Sequence, residues 1–328
     1  MGQPQRAVTF TAHRRAELID LSGPPATEPL GPEEVAGRTL VSLTSPGTEL
    51  NWGFLGEKFP CSPGYAAVFE VQAVGGEVRK FRPGDRALCM GNHRSHQRLA
   101  EADAVPVPAG LPNERAVFAR LMGVSMTTLM TTSACPGDRV LVTGLGPVGN
   151  LAAQMFHASG YETLGSEPAP ARRRLAEGVG VARVLENVPV DDPSFVGSVA
   201  LGVECSGHEQ AALDCCRVVR KGGEVVLVGV PWRQRADDLT AFAILHAVFH
   251  RYVVLRSGWE WELPHHPADF RPHSIFGNYA TALAWLAGGR VNVEPLAELA
   301  SPADCQQVYD SLSRGERMAV VFDWARVG

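Results

Sequence analysis

The chain of 328 residues contains seven cysteines, and no two of them stand in a C-x-x-C spacing. Cys61, Cys89, Cys135, Cys205, Cys215, Cys216 and Cys305 form an odd, scattered set. That excludes a disulfide framework and reads as reduced thiols in a cytoplasmic protein. H-E-x-x-H is absent, and so is a Lys/Arg-rich tail; the net charge is -5. Nucleic acid and anionic membrane surfaces are therefore excluded as general partners. No apolar run approaches the ~20 residues that a membrane span needs. The opening "MGQPQRAVTF" has no apolar signal-peptide core, and Arg6 stands where a myristoylation pattern requires Ser or Thr. Low-complexity tracts and internal repeats are lacking too. What remains is a length suited to two domains, 45% hydrophobic and 20% charged residues, and a small-molecule partner.

The first third reads as β-rich: "RAVTF", "GRTLVSLTS", "GYAAVFEVQAVG" and "DRALCM" are short apolar runs punctuated by proline and glycine. After the proline-broken "EADAVPVPAGLP", the stretch "NERAVFARLMGVSMTTLMTTS" has helical spacing. From residue 139 strand and helix alternate: "RVLVTGL", "PVGNLAAQMFHASG", "YETLGSE", "APARRRLAEGVG", "ARVLE", "SVALGVECSG", a helix over 208–220, "GEVVLVGV", a helix over 241–251 and "YVVLRSG". Six such strands with helical crossovers predict an α/β fold with a doubly wound parallel sheet. The segment after Trp261 is expected to rejoin the β-rich part. That assigns residues 1–120 and 262–328 to a β-rich domain and 121–261 to a Rossmann domain.

Within "VLVTGLGPVGN", Gly144, Gly146 and Gly149 have the G-x-G-x-x-G spacing between a strand and a helix. Gly144 permits a tight turn, Gly146 lets backbone approach a pyrophosphate, and Gly149 lets helix pack on strand. Pro147 and Val148 open the helix whose N-terminus would face the phosphates. Glu167 ends the next strand, where a carboxylate accepts hydrogen bonds from the adenosine ribose and repels a 2′-phosphate. Arg172, Arg173 and Arg174 follow, and Arg172 could reach a 2′-phosphate. NAD is thus the expected cofactor, with NADP possible.

These features, with "PGTE", "PGYAAVFEVQAVGGEVRKFRPGDRA" over residues 63–87 and "GGEVVLVGV" over 222–230, resemble the medium-chain dehydrogenase/reductases across nearly the whole chain. The resemblance implies a GroES-like β-rich catalytic domain beside the Rossmann sheet. It adds Thr127, Cys205, Ser206, Gly229 and Val230 to the cofactor-binding set and sets the active site between the domains. Zinc members carry a Cys, a His and a further Cys or acidic residue on the catalytic metal. Here Pro46, Tyr65 and Gly123 stand at those positions, and Ala66 replaces the acidic neighbour. The four-cysteine loop is missing where "CMGNHRSHQRL" runs on. Both zinc ions are expected to be absent. The short motifs "S-x-G-T-E" over residues 45–49 and "G-Y" at 64–65 resemble a zinc-free branch that includes the bacteriochlorophyllide-synthesis dehydrogenase.

Without zinc, alcohol oxidation needs another route for the proton. The candidates are Thr48, which can relay, together with Glu49, Tyr65, His93 and His96; the spacing of the two histidines puts them on opposite faces, so one of the two is expected to point inward, and His93 is the choice. Glu49 could equally be a structural ion-pair partner. His246 and His250 at i, i+4 read as structural; His265, His266 and His273 sit in a proline-rich loop that would border the nicotinamide end of the cleft, with nothing in the sequence to support a metal site there. The expectation is an NAD(H)-linked, zinc-independent dehydrogenase acting on a secondary alcohol, either polyol, sugar-like or ring-shaped. A zinc-free enoyl or quinone reductase using NADPH and a non-catalytic nucleotide-binding protein are the alternatives. A homodimer closing the free edge of "YVVLRSG" is also expected.

Overall fold

A computed structural model describes residues 5–22 and 29–327. The expectation about an export signal, where it concerns residues 1–4, lies outside them. The chain forms two compact units: residues up to 120 with 279–288 and those from 296 on, and residues 121–278 with 289–295. Residues 262–278, expected with the first unit, pack with the second; Ile275 donates its N–H to the Pro264 carbonyl, and Asn278 reaches Thr127.

The first unit is built on a sheet of seven strands. Ala297–Ala300, Ala319–Asp323, Glu34–Leu43, Ala67–Val74, Arg86–Cys89 and Ala104–Pro106 lie side by side, and His96–Ala100 also pairs with Glu34–Leu43. All pairings are antiparallel except that of Ala297–Ala300 with Ala319–Asp323. The β-branched and aromatic runs seen in the sequence supply its core: Val35, Phe69, Val71 and Phe81 are buried together. A hairpin of Gln5–Ala12 and Arg15–Leu21 packs Phe10 against Phe54 and Tyr309, with ring centroids 5.6 and 4.7 Å apart. Burial of each such ring contributes about 1.5–3 kcal/mol.

The second unit holds six parallel strands in the order Val184–Leu185, Glu162–Ser166, Arg139–Thr143, Val199–Glu204, Val219–Leu227, Val254–Ser257. In chain order that is 3-2-1-4-5-6, the doubly wound arrangement, with its switch point between the first and fourth strands. Every residue of Val199–Glu204 is buried, as expected of a strand covered by helices on both faces. The helix Pro147–Ala158 lays Ala152, Ala153 and Phe156 on the sheet. The expected strand "ARVLE" shrinks to Val184–Leu185, and "VNVEPLAEL" to Ala297–Ala300 after a turn through Glu294–Leu296. Pro295 cannot donate to a ladder, so pairing begins only after it. No helix among the described residues is long and apolar enough to cross a membrane.

Candidate active site

The switch point of the parallel sheet carries the glycine cradle. Gly144 turns with φ +77°, and a Cβ there would lie 2.6 Å from that of Ser206. A Cβ on Gly149 would meet the Gly144 carbonyl oxygen at 1.9 Å, so the helix sits directly on the turn. Around Gly146 no atom lies within 4 Å of a built Cβ. The chain's own packing does not demand glycine there, whereas a phosphate against the backbone does. Gly146 caps the helix and Pro147 occupies its first turn with φ preset; Val148 packs on the unit's core. This cradle fits the pyrophosphate of a dinucleotide.

Glu167 stands at the end of the second strand and is 3% exposed. Its carboxylate accepts from the N–H of Leu145 at 2.9 Å and of Ala169 at 3.0 Å, which ties the strand end to the glycine turn. Arg172 lies 3.9 Å from it with a side chain 40% exposed. Arg173 is committed elsewhere: it donates to the carbonyls of Glu167 and Pro168 and pairs with Glu186.

On the fourth strand the sequence reading missed Glu204. It is 1% exposed, and it accepts from the N–H of Ser206 at 2.6 Å, from that of Gly207 at 3.0 Å, and from the Ser206 hydroxyl. Burial lifts its carboxyl above the ordinary value although these bonds oppose the rise. Its position in "VECSG", directly before two expected cofactor residues, was the available signal. Cys205 is half-buried, and burial pushes its thiol well above the usual range. Gly229 and Gly207 touch back to back, since a Cβ on Gly229 would lie 2.3 Å from the Gly207 nitrogen. Val230 beside them is 45% exposed. Thr127 is wholly enclosed; its hydroxyl donates to the Gly123 carbonyl at 3.3 Å and accepts from Asn278 at 3.4 Å.

In the first unit, strand Glu34–Leu43 delivers Ser45 to a helical turn, Pro46–Thr48, which continues into the helical segment Glu49–Phe54. Pro46 suits the opening position because no N–H is needed there. Glu49 folds back, and its carboxylate accepts the Ser45 N–H at 2.8 Å. It also accepts from the Tyr309 phenol at 2.5 Å and contacts His93 Nε2 at 3.2 Å. His93 Nδ1 lies 2.8 Å from Ser42 Oγ, which accepts from Trp324 Nε1 at 3.0 Å. Donors and acceptors balance when His93 carries its proton on Nε2 and Ser42 donates to Nδ1. His93 has zero exposure and Glu49 1%, and both ring nitrogens of His93 are taken. This enclosure does not suit direct contact of His93 with a substrate, because no lone pair or N–H of the ring is free. His96 is half-buried on Ser95, and burial lowers its pKa.

Tyr65 and Thr48 stand apart from that enclosed set. Both are half-buried. The Tyr65 phenol donates to Ser45 Oγ and is hydrogen-bonded with Thr48. Burial raises its pKa above the ordinary phenol value, while Arg120 and the two hydroxyls pull it back.

A catalytic zinc does not fit these residues. Pro46 and Gly123 offer no donor side chain, and the phenol of Tyr65 alone cannot make a ligand set. Among the described residues no three His, Cys, Asp or Glu side chains gather at a metal-holding distance. His246 and His250 lie on an exposed helix face with centroids 4.2 Å apart, and His266 stacks on Phe276.

Residues 147–260 match the family model described as zinc-binding dehydrogenase. The L-threonine 3-dehydrogenase of Thermococcus kodakarensis is 27% identical over 324 residues, covering 86% of each chain. A quinone oxidoreductase of Pseudomonas aeruginosa is 28% identical over 190 residues, 55% of this chain and 58% of its own. The crystal structure of galactitol-1-phosphate dehydrogenase from Escherichia coli superposes with a TM-score of 0.81 at 16% identity, covering 97% of this chain and 99% of that one. With the 3-2-1-4-5-6 sheet, the glycine cradle and the antiparallel unit, these likenesses make the chain similar to the NAD(P)-dependent medium-chain dehydrogenase/reductases.

Proposed function

We propose that this enzyme reduces a ketone to a secondary alcohol with NADH, without zinc, and that Tyr65 gives the proton. The observation that carries the reading is the Tyr65 phenol. It stands on two hydroxyls, Ser45 and Thr48, at a position where zinc members hold a metal ligand, and burial keeps it protonated through neutral pH. A bound nicotinamide supplies the hydride. This chain's residues orient the carbonyl and protonate its oxygen. The alkoxide that zinc would otherwise hold is quenched by proton transfer from the Tyr65 oxygen, and the Ser45 and Thr48 hydroxyls stand next in line to restore the proton.

Glu49 and His93 hold the turn in place: Glu49 fixes Ser45 through its N–H and is itself fixed by His93 and Tyr309. Glu167 supports NADH over NADPH, because a second negative charge on the ribose would lie beside its carboxylate. L-Threonine and galactitol-1-phosphate dehydrogenases among the similar proteins support a small hydroxylated substrate, polyol, sugar-like or ring-shaped. The scattered free thiols suit a cytoplasmic protein. The uncovered edge strand Val254–Ser257, with Val254 52% exposed, supports a homodimer.

The test is a ketone screen with NADH, comparing the parent protein with Tyr65→Phe and Thr48→Val. Loss of a proton donor costs about 10²–10⁴ in turnover, and NADH binding should be unchanged. Survival of turnover within about threefold in both variants, well below that range, refutes the reading. Saturation of enones with NADPH, and no ketone reduction, selects the quinone-reductase alternative.

A further inference from the structure

Arg120 is a guanidinium held inside the first unit. It is 3% exposed. Its central carbon lies 4.6 Å from the centroid of the Tyr65 ring and 5.2 Å from that of Tyr279. Both distances fall within the range in which a ring face attracts a cation. Tyr279 is itself fixed, being 1% exposed with its phenol on the Met90 sulfur at 3.6 Å. Removing a charge from water is costly, and an apolar side chain would fill the same space more cheaply. Among the groups it meets is the ring of the tyrosine whose phenol stands on the Ser45 and Thr48 hydroxyls.

We propose that Arg120 is a positioning residue for proton transfer: its fixed positive charge stands behind Tyr65 and supports the phenolate left when the proton departs. The proposal rests on the reading that Tyr65 handles the proton. In the step itself, hydride from the nicotinamide reaches the carbonyl carbon while the proton of the Tyr65 oxygen passes to the carbonyl oxygen. The alcohol leaves neutral and Tyr65 is left anionic. Ser45 and Thr48 hydroxyls then donate to the phenolate, and water restores its proton through them.

The groups facing Tyr65 set the balance. Glu49 opposes loss of the proton by its negative charge, and burial opposes it more strongly. Arg120 favours it, as do the hydroxyls of Ser45 and Thr48. His93 lies behind Gly64, where a built Cβ would come 2.8 Å from its ring, and its Nε2 is turned to Glu49. Tyr279 contributes a ring face shared through Arg120. Of these groups Arg120 alone brings a fixed positive charge, the contribution a metal ion makes in zinc members.

The experiment places 3,5-difluorotyrosine at position 65 of the full chain. Fluorine makes the phenol more acidic and brings its titration into the range where the protein stays folded. Its ¹⁹F signal is followed against pH in the parent and in Arg120→Met, Arg120→Gln and Arg120→Lys. An opposite charge close to an acid lowers its midpoint by up to about 1–3 units, so the two neutral variants should raise it within that range. Arg120→Lys keeps a charge but withdraws it from the ring face; it should give a smaller rise, and it serves if neither neutral variant folds. A midpoint unmoved in any folded variant, within about a tenth of the expected range, overturns the proposal. Turnover supplies the second arm. Arg120→Met should slow the parent strongly yet cost less than about threefold in a Tyr65→Phe background, because the phenol it serves is already gone; an equal loss in both backgrounds marks a packing role and also overturns it. If the midpoint moves but Tyr65→Phe reduces ketones at the parent rate, what falls is the assignment of the proton to Tyr65.

Discussion

Removing the Glu49 carboxylate tests whether the enclosed polar set is a brace or a catalytic relay. In Glu49→Ala three donors lose their acceptor: the Ser45 N–H, the Tyr309 phenol and His93 Nε2, at 2.8, 2.5 and 3.2 Å in the intact protein. Glu49 and His93 are 1% and 0% exposed, so water cannot replace the lost acceptor without entering the core. A hydrogen bond to a charged group contributes about 1.5–3 kcal/mol, and stripping one partner from a buried set costs about 3–5 kcal/mol in practice. For a unit of this size each kcal/mol moves the melting temperature by about 2–4 °C, which puts the loss near 10 °C. Glu49→Gln keeps one acceptor oxygen and the volume, and should lose roughly half as much. The assay is calorimetry, with the two units resolved as separate transitions where they unfold separately. If Glu49→Ala melts within about 2 °C of the parent, below one kcal/mol by the same scaling, the brace is imaginary. If Glu49→Gln abolishes turnover while melting normally, Glu49 belongs to the chemistry instead.

Gly149→Ala should weaken NADH binding by at least about 100-fold, a coupling of some 2.7 kcal/mol, since its Cβ would meet the Gly144 carbonyl oxygen at 1.9 Å; calorimetric titration giving parental affinity refutes the cradle. Glu167→Ala should lower the preference for NADH over NADPH, and tighter NADPH binding by the parent would transfer the ribose end to Arg172. Ketone reduction should show no loss from Tyr65 titration until the pH passes the ordinary phenol value, because burial raises that pKa and the protonated form is the donor; a basic limb below about pH 9 that Tyr65→Phe removes contradicts this sign. In native protein near pH 8 a thiol reagent should label exposed Cys135 first and leave Cys89, pushed up to about 12 by burial, untouched; fast labelling that survives Cys135→Ser would be the contrary result. Light scattering should give twice the chain mass, and a monomer at micromolar concentration ends the dimer reading.

The parts of the molecule that could be read beforehand are those whose physics is local. Gly144, Gly146 and Gly149 lie within six residues of one another, and the turn, the phosphate approach and the helix contact each act on that stretch. The alternation of buried strand and helix is likewise a short-range pattern, so the parallel sheet followed from it. Strand lengths were less legible. "ARVLE" was cut to two residues and "VNVEPLAEL" to four, because pairing partners and Pro295, rather than β propensity, decide where a ladder runs. Glu204 was passed over because an acidic residue ending a buried strand looks like a boundary until its three hydrogen bonds to the next turn are seen.

The chemistry in the first unit was half legible for a different reason. Thr48 and Tyr65 were singled out by where they stand in short motifs, but partners of the residues around them come from far along the chain. Tyr309 reaches Glu49 across 260 residues and Trp324 reaches Ser42 across 282. No spacing rule links such positions, so nothing marked His93 as enclosed and fully bonded rather than free to take a proton. Arg120 was hidden in the same way, as one cation in a helix of apolar residues. Its partner ring belongs to Tyr65, which the sequence had marked only as the residue standing where a histidine ligand would be. The substitution of one and the charge of the other make sense together. On the proposed role, a phenol that parts with its proton beside Glu49 is helped by a positive charge, and the fold brings one to 4.6 Å from its ring.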